Sequence, residues 1–552
     1  MLTVIRWSQL LNAERGFKLV LLKLSSWLDG SLFFRVFFRI ILGFFDGLTR
    51  FLEGSFVVRL FSADFDRTKL SHSYFVRIAE GALNLFPKSK LPVSSIFRPF
   101  ASLACFSLFG RQVFQGSKIF SFFVKTLENT DSLASYGLLV LVVSAPFLPT
   151  MTLAPILVAI FAAALFHHNF KLDLTSVPLL LFVIITIISG FTSAASSYSL
   201  PIAVLTSVFM LSYLLVKVCF TDRLFLDFVM ALFVIAAACT ALVAIFQVYA
   251  GYMDMSWVDR NLFAALRIRV TSTFGNPNVY GTYLLLVIPL SGALVIYAKS
   301  IFYKFCALGI TGLLLIALGL TYSRGCYVAL AAALFVFLIL VERRLIVLFA
   351  AGLIVMPFVL PAGIIARIVS IVDFTDTSTM YRISIWQASL RMLGDFWMAG
   401  IGQGPEAYNN VYPYYAFSAV TALHSHNLYL QIFLETGIVG LLVFIGILAC
   451  FFRTQFSFMR HTAEKKRKLL SAAMTAAVVG FLIQGIFDHA FYNYRVMLIF
   501  FLYIGLANAL TEVGALRPAS EIGSEIRPEI RPEVGSEIGS EIRPVTVPEI
   551  VP

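Results

Sequence analysis

Charged residues are scarce in this sequence: Asp, Glu, Lys and Arg together make up 13% of its 552 residues, while hydrophobic residues make up 59%. A soluble domain cannot bury that much apolar surface, so the scarcity of charge excludes a soluble fold. The mean hydropathy of +0.88 indicates instead a protein that crosses a membrane several times.

Cysteine is also rare, with six residues in the chain and no Cys-x-x-Cys pair among them. Most of the six fall within apolar runs, so we expect free, buried thiols that pack as small hydrophobic side chains without a disulfide or metal role. A cleavable signal peptide is not expected either, because residues 1–25 carry scattered charges and lack a small-residue cleavage site.

Residues 1–132 lack a convincing run of the roughly 20 apolar residues that a span needs. Short phenylalanine-rich runs alternate there with basic residues, as in residues 31–39, which is typical of amphipathic helices on a membrane surface. We interpret this region as a basic cytoplasmic or membrane-surface extension that anchors or regulates. Residues 513–552 repeat variants of Gly-Ser-Glu-Ile and Arg-Pro-Glu-Ile, which predicts a disordered low-complexity tail.

Residues 133–512 hold the apolar runs that predict an all-α, polytopic membrane helix bundle. With the N-terminus inside, the inner loops hold 13 Lys and Arg residues and the outer loops hold 8, which predicts an inner-membrane protein with both termini cytoplasmic. We assign about twelve spans, at residues 136–149, 152–166, 176–194, 200–219, 225–250, 278–298, 303–321, 325–341, 344–361, 427–452, 468–490 and 493–511.

The outer loops differ from the inner loops in the kind of cation they carry. All eight outer cations are arginines, whereas seven of the 13 inner cations are lysines. Arginine binds phosphate through two parallel hydrogen bonds and keeps its charge at every physiological pH. The outer face is therefore predicted to meet a phosphate-bearing ligand, and the net charge of +12 suits an anionic substrate or anionic membrane lipids.

A long outer segment, residues 362–426, separates the ninth and tenth spans. It contains an amphipathic stretch with Ile383, Trp386, Leu390 and Leu393 on one helical face, followed by a glycine-rich turn at residues 400–404. Because a structureless loop of this length would be unusual, we predict an external helical cap.

Two arginines at the outer ends of spans are candidates for binding. Arg324 lies at the junction of two spans, where a charge is either functional or reaches back to the interface. Arg382 precedes Trp386 by one helical turn, and the alternative interpretation of that pair is a cation–π contact.

His424 and His426 immediately precede Asn427, at the start of a span. A histidine at a helix start is more often structural than catalytic, so the motif alone leaves both interpretations open. No Asp, Glu or Cys completes a metal-binding set at short spacing, so we expect no metal and no cofactor. His426 stands eleven residues before Gly437, and in a continuous helix both would lie on one face.

Two further pairs of polar residues fall in outer segments. Arg269 and Asn278 lie in the segment that ends in the turn signal Asn-Pro-Asn, and Asp488 and Arg495 lie at the last outer loop. We regard all four as possible supporting residues.

Taken in order, these motifs resemble one family. Ser323-Arg324-Gly325, Arg382-x-x-x-Trp386, the turn Gly400-x-Gly402-x-Gly404, and His426-Asn427 followed after nine residues by Gly437-x-x-Gly440 are similar to the O-antigen ligase superfamily, which includes O-antigen polymerases. The resemblance covers roughly residues 136–512, and the spacing between the histidine and the two glycines is its most specific part.

The resemblance implies a metal-independent, inverting membrane glycosyltransferase of the GT-C type. Such an enzyme takes a glycan from an undecaprenyl-pyrophosphate carrier and joins it to a hydroxyl acceptor at the outer face. By this resemblance Arg324 and Arg382 would bind the pyrophosphate, and His426 would act as the general base, with no nucleic acid involved. Residues 1–132 and the tail lie outside the pattern.

Three functions remain open at this point: a ligase that attaches a finished glycan to an acceptor, a polymerase that extends the carrier-linked chain, and a transporter of an anionic solute. A transporter would favour charges at mid-depth in several spans, whereas nearly all ionisable residues here fall at span ends or in loops. Ligase and polymerase need the same donor chemistry, so the motifs alone do not separate them.

Overall fold

The computed structural model describes residues 39–40, 42–47, 133–167, 172–251, 269–342, 344, 346–372, 377–417, 420 and 422–515. Every regular element in these ranges is helical, which confirms the all-α class. The main helices are α1 (Leu133–Ser144), α2 (Thr150–His167), α3 (Ser176–Thr192), α4 (Ser196–Cys219), α5 (Arg223–Tyr249), α6 (Pro277–Tyr297), α7 (Ile301–Leu320), α8 (Arg324–Glu342), α9 (Ile346–Val359), α10 (Ala362–Val369), α11 (Thr377–Phe396), α12 (Pro405–Val411), α13 (Leu428–His461), α14 (Lys465–Phe487) and α15 (Tyr494–Ala515).

Eight of these helices, α4–α8 and α13–α15, are long and apolar enough to cross a membrane. The other four predicted spans coincide with α1, α2, α3 and α9, whose apolar parts are shorter. The membrane helix bundle is thus confirmed, and the number of twelve crossings stays a prediction. Several boundaries differ from the predicted ones. In particular, α13 continues to His461, and α14 ends at Phe487, so that Asp488 follows the helix.

The core of the bundle is built around α14 and α15. Almost every side chain of α15 is buried, whereas few residues of α7 and α8 are fully buried. Glycines allow α8 and α14 to touch at two levels, because a Cβ at Gly325 would come within 2.4 Å of the Gln484 Oε1 and one at Gly480 within 2.9 Å of the Ala333 Cβ. This contact explains the glycine of the Ser-Arg-Gly motif.

Ion pairs close the end of the bundle opposite the site described below. The ammonium of Lys217 is buried and lies 3.1 Å from Asp173 and 2.8 Å from Glu512. Arg467, also buried, lies 3.2 Å from Asp227 on α5. Paired charges of this kind fix which helix ends meet, because leaving either partner alone in the interior would cost several kcal/mol.

Of the N-terminal region, the described residues 42–47 form a short helical piece against α13. Phe45 is buried there, and its ring lies against Gly446, where a Cβ would meet it at 2.2 Å. The carboxylate of Asp46 accepts a hydrogen bond of 2.7 Å from Arg453. The other interpretations of residues 1–132, and those of the tail beyond Ala515, lie outside the described residues.

Helix α13 is broken at Gly437, whose backbone takes the left-handed values φ 68° and ψ −175°. The segment between α11 and α12 occupies the break: the Ile401 N–H donates to the Leu434 carbonyl at 2.7 Å, and the Ile438 N–H donates to the Trp397 carbonyl at 2.8 Å. The prediction that His426 and Gly437 share one helical face is therefore wrong, because the helix starts after His426 and does not run straight through Gly437.

The predicted cap segment is helical, with α10, α11 and α12 in it, and it has a small hydrophobic core of its own. In α11 the buried positions are Ile385, Ala388, Ser389, Met392 and Leu393, whereas Leu390 is 60% exposed. The predicted apolar face of this helix is thus wrong at Leu390 but holds at Leu393, and the side that packs is the one turned toward α13 and the tyrosines of residues 408–412. The position of the cap segment outside the membrane stays a prediction.

Candidate functional site

The predicted site residues gather around a cavity of about 640 Å³ between α3, α4, α13 and α15. The cavity is lined by His424, His426, Asp488 and Asn278. Among the described lining residues, Arg269, Arg324 and Arg382 do not appear. Its floor is apolar. Its polar wall also holds Asn276 and His489, which stand in the outer segments of the candidate residues, and four residues without any sequence signal for a site, namely Gln403, Asn409, Gln431 and Glu435.

His426 stands just outside α13 in a strained turn. Its φ is +50°, a left-handed value that side-chain-bearing residues rarely adopt. Asn427 caps the helix by accepting a hydrogen bond from the Leu430 N–H at 2.9 Å, and Gln431 accepts one from the Ser425 N–H at 2.8 Å. The turn is held at both ends, so the imidazole is fixed beside the cavity. Strain stored at a well-supported turn is typical of functional sites.

Asp488 is the partner of His426. The Nδ1 of His426 lies 3.1 Å from the Oδ1 of Asp488, whose side chain is only 5% exposed. Asn427 brings the two together, because its amide also donates to the Ile486 carbonyl at 2.9 Å. Burial alone would raise the pKa of Asp488, but the hydrogen bond and charge of His426 hold it below the ordinary value. The carboxylate is therefore negative at neutral pH.

His424 has a different environment from His426. Its ring stacks on Tyr492 with 4.6 Å between ring centres and 16° between planes, and its Nδ1 accepts a hydrogen bond of 3.2 Å from the His426 N–H. Burial, followed by repulsion from His426, lowers the pKa of His424 to about 4. His424 is thus neutral at physiological pH, and it supports the turn that carries His426.

Arginines surround the segments next to the cavity. Arg269 donates to the Thr321 carbonyl at 2.9 Å and to the Asn278 side chain at 3.1 Å, and Arg324 donates to the Ser370 carbonyl at 3.0 Å. Burial and then the charge of Arg367 lower the pKa of Arg269 to about 9, which leaves it charged at pH 7. The positive charges of Arg269 and Arg367 are therefore held close together.

Arg367 was not singled out from the sequence beyond its place among the outer arginines. It is 7% exposed and lies in α10. Arg382 is near the histidines. Burial and the charge of His426 lower the pKa of His424, the charge of Asp488 opposes this shift, and the positive charge of Arg382 adds to it. Of the two arginines predicted for phosphate, Arg382 follows Tyr381, which lines the cavity, whereas Arg324 contacts Ser370 at the end of α10.

One possible supporting residue, Arg495, has local structural contacts instead. Arg495 donates to the Thr273 carbonyl at 2.9 Å and lies over the Phe274 ring at 5.0 Å, so it braces the segment before α6. The indole Nε1 of Trp386 is buried and has no hydrogen-bond partner among the described residues.

The glycine turn owes its sequence to close contacts. Gly402 has φ +103°, and a Cβ there would come within 2.2 Å of the Ser193 Oγ. A Cβ at Gly400, where φ is +74°, would come within 2.5 Å of the Glu435 carbonyl oxygen. The glycines of the motif are therefore needed to seat the turn against α3 and the break in α13, and they place Gln403 in the cavity wall.

One expectation about metals rested on an incomplete set of residues. The sequence shows no carboxylate near the two histidines, but the fold brings Asp488 from 62 positions away. Ligand atoms of His424, His426 and Asp488 all lie within 4.8 Å of one another. No third ligand stands at short spacing, as the sequence indicated, but the fold supplies a candidate from a distant position.

Residues 309–445 of the chain match the family described as O-Antigen ligase. This range contains Arg324, Arg382, the glycine turn and His426, so the resemblance to the O-antigen ligase superfamily is confirmed. Arg269, Asn278, Asp488 and Arg495 lie outside the matched range. A comparison with curated proteins found no match.

Proposed function

We propose that this protein transfers a glycan from an undecaprenyl-pyrophosphate carrier to a hydroxyl acceptor, at the outer face of the cytoplasmic membrane. The match to the O-antigen ligase family supports the general reaction class. The observation that carries the specific proposal is the hydrogen-bonded pair of His426 and Asp488 at the wall of a 640 Å³ cavity.

His426 is the general base in this proposal. Asp488 accepts a hydrogen bond from Nδ1–H, which selects the tautomer whose Nε2 carries a lone pair. Such a nitrogen can take the proton of the acceptor hydroxyl as its oxygen attacks, a contribution of roughly 10²–10⁴-fold in rate. Asp488 acts as a positioning residue that also stabilises the imidazolium formed.

The arginines act on the leaving group. The acceptor oxygen forms a bond to the anomeric carbon as the bond from that carbon to the pyrophosphate oxygen breaks, with inversion. The electron pair leaves with the carrier pyrophosphate, and Arg324 and Arg382 stabilise its growing negative charge. Guanidinium groups supply the positive charge that other transferases take from a metal ion. We therefore propose that the reaction needs no metal cofactor.

A ligase and a polymerase differ only in the acceptor. In a ligase the hydroxyl belongs to an acceptor that is not a carrier-linked glycan. In a polymerase it belongs to a second carrier-linked glycan. We propose the ligase reaction, and supplying each acceptor separately to the purified protein distinguishes the two.

The test is transfer from a carrier-pyrophosphate glycan by purified protein in vesicles that contain a chelator. His426→Ala is expected to lower turnover by about 10²–10⁴-fold while donor binding persists. His424→Ala is the matched control, because it removes the neighbouring imidazole, and its loss should be smaller. Near-normal turnover of folded His426→Ala would exclude the general-base role, and abolition of activity by the chelator would exclude metal independence.

A further inference from the structure

His424, His426 and Asp488 have the composition of a transition-metal site. Two imidazoles and a carboxylate are ligands that Zn²⁺ commonly takes, with a fourth position open to water. Their ligand atoms lie within 4.8 Å of one another, so small side-chain movements suffice to bring all three to a common ion. We propose that this cluster binds a transition-metal dication such as Zn²⁺ and that the bound ion inhibits the protein.

The surroundings of the cluster support a ligand at this place. The Nδ1 of His489 is buried and has no hydrogen-bond partner among the described residues. Its ring lies 5.6 Å from that of His424, centre to centre, and His489 also lines the cavity. A metal-bound water would give this nitrogen the partner that the protein does not supply.

Two of the three ligands are already held by groups outside the cluster, which favours binding. Tyr492 fixes the ring plane of His424 by stacking, and the His489 N–H donates to the Oδ1 of Asp488 at 2.9 Å. Contacts of this kind around metal ligands orient them and raise affinity. Binding replaces the bond between His426 and Asp488, and it also removes the hydrogen bond of 3.2 Å from the His426 N–H to Nδ1 of His424, whichever ring nitrogen ligates.

Inhibition is expected because His426 belongs both to the metal cluster and to the proposed catalytic pair. This part of the inference rests on the proposed function. An ion that occupies His426 and draws Asp488 away takes both the base and its positioning carboxylate. The binding itself does not depend on the reaction, so it is measured first and separately.

The experiment measures Zn²⁺ uptake by the full-length protein, purified in detergent through a tag without histidine. All variants carry His167→Ala and His168→Ala, because that pair is a second histidine cluster in the sequence. We expect one Zn²⁺ per chain in this background. Asp488→Asn and His424→Gln should each weaken binding at least as much as the 10–100-fold typical of lost outer-shell contacts.

His461→Ala is the matched control, because His461 is exposed at the other end of α13 and should leave the affinity unchanged. A second readout is the visible absorption of tetrahedrally coordinated Co²⁺, which should disappear in His424→Gln. The proposed site is excluded if the background takes up no Zn²⁺, or if His424→Gln binds it as tightly as His461→Ala does.

Activity is then assayed with and without Zn²⁺. Transfer should fall as the site fills, and His424→Gln should need at least about tenfold more Zn²⁺ for the same loss. If Zn²⁺ binds at the cluster and raises transfer, the inhibitory role and the proposed metal independence are both wrong, while the site stands. If no variant transfers glycan at all, the proposed function fails and the binding result remains.

Discussion

Replacing Asp488 with Asn tests the positioning role most directly. The substitution keeps the shape of the side chain and removes its negative charge. The amide can present its NH₂ to Nδ1 of His426, 3.1 Å away, and then the proton of the imidazole moves to Nε2, where the acceptor hydroxyl needs a lone pair. Because the Asp488 side chain is only 5% exposed, water cannot easily take over the role of the carboxylate.

The expected loss equals most of the general-base contribution, about 10²–10⁴-fold in kcat. That corresponds to about 3 to 5 kcal/mol of activation free energy, at 1.36 kcal/mol per tenfold change. The KM for the carrier-linked donor should change little, since Arg324 and Arg382 are intact. The assay is steady-state transfer by purified protein, with thermal unfolding of both proteins as the check on folding.

Asp395→Asn is the matched control, because Asp395 is an acidic residue of the cap segment that accepts a hydrogen bond from Tyr415 away from the histidines. It should keep normal turnover. If folded Asp488→Asn turns over within about twofold of the parent, or if both substitutions reduce kcat equally, the argument that Asp488 selects the tautomer is refuted.

Three further outcomes are expected. Arg324→Lys and Arg382→Lys should each lower donor affinity and rate, because lysine keeps the charge but loses the bidentate grip; unchanged donor binding would contradict the pyrophosphate role. In a background without native cysteines, an impermeant thiol reagent added to intact cells should label Tyr414→Cys and not Arg460→Cys, and labelling of both would overturn the orientation. Gly402→Ala should lower the melting temperature by several degrees or prevent folding, since its Cβ would lie 2.2 Å from the Ser193 Oγ at a left-handed φ; an unchanged melting curve would contradict this packing.

The helices were predictable because their signal is local. Twelve apolar runs in the sequence correspond to twelve apolar helices, since length and hydropathy decide such segments with little help from tertiary contacts. The face of α11 was not predictable in the same way. Leu390 is apolar but exposed, and Ser389 is polar but buried through a hydrogen bond with Tyr408. The orientation of α11 is therefore decided by the segments that pack against it and not by the spacing of its apolar residues.

In the site, too, features with a local sequence signal were predicted, and features that depend on tertiary contacts were not. His426, Arg324 and Arg382 were found through motifs that occupy short stretches of chain. The pairing of His426 with Asp488 joins positions 62 residues apart, and Arg367 approaches Arg269 from the cap segment. Such long-range neighbours leave no spacing pattern in one sequence. The glycine turn was noticed as a motif, but its reason, the hydrogen bonds that cross the break at Gly437, appears only in the folded chain.

The break at Gly437 also bears on the depth at which chemistry would occur. Arg453 and Arg460 lie in the last part of α13, so the residues from Ile438 to Phe452 cover only about 22 Å of the roughly 30 Å of hydrocarbon in a bilayer. Residues 428–436 add about 14 Å, so both parts of the broken helix are needed for the predicted crossing. The imidazole just before residue 428 is thus predicted to lie near the outer edge of the hydrocarbon, where the diphosphate of a membrane-bound carrier would lie while its hydrocarbon chain stays in the membrane.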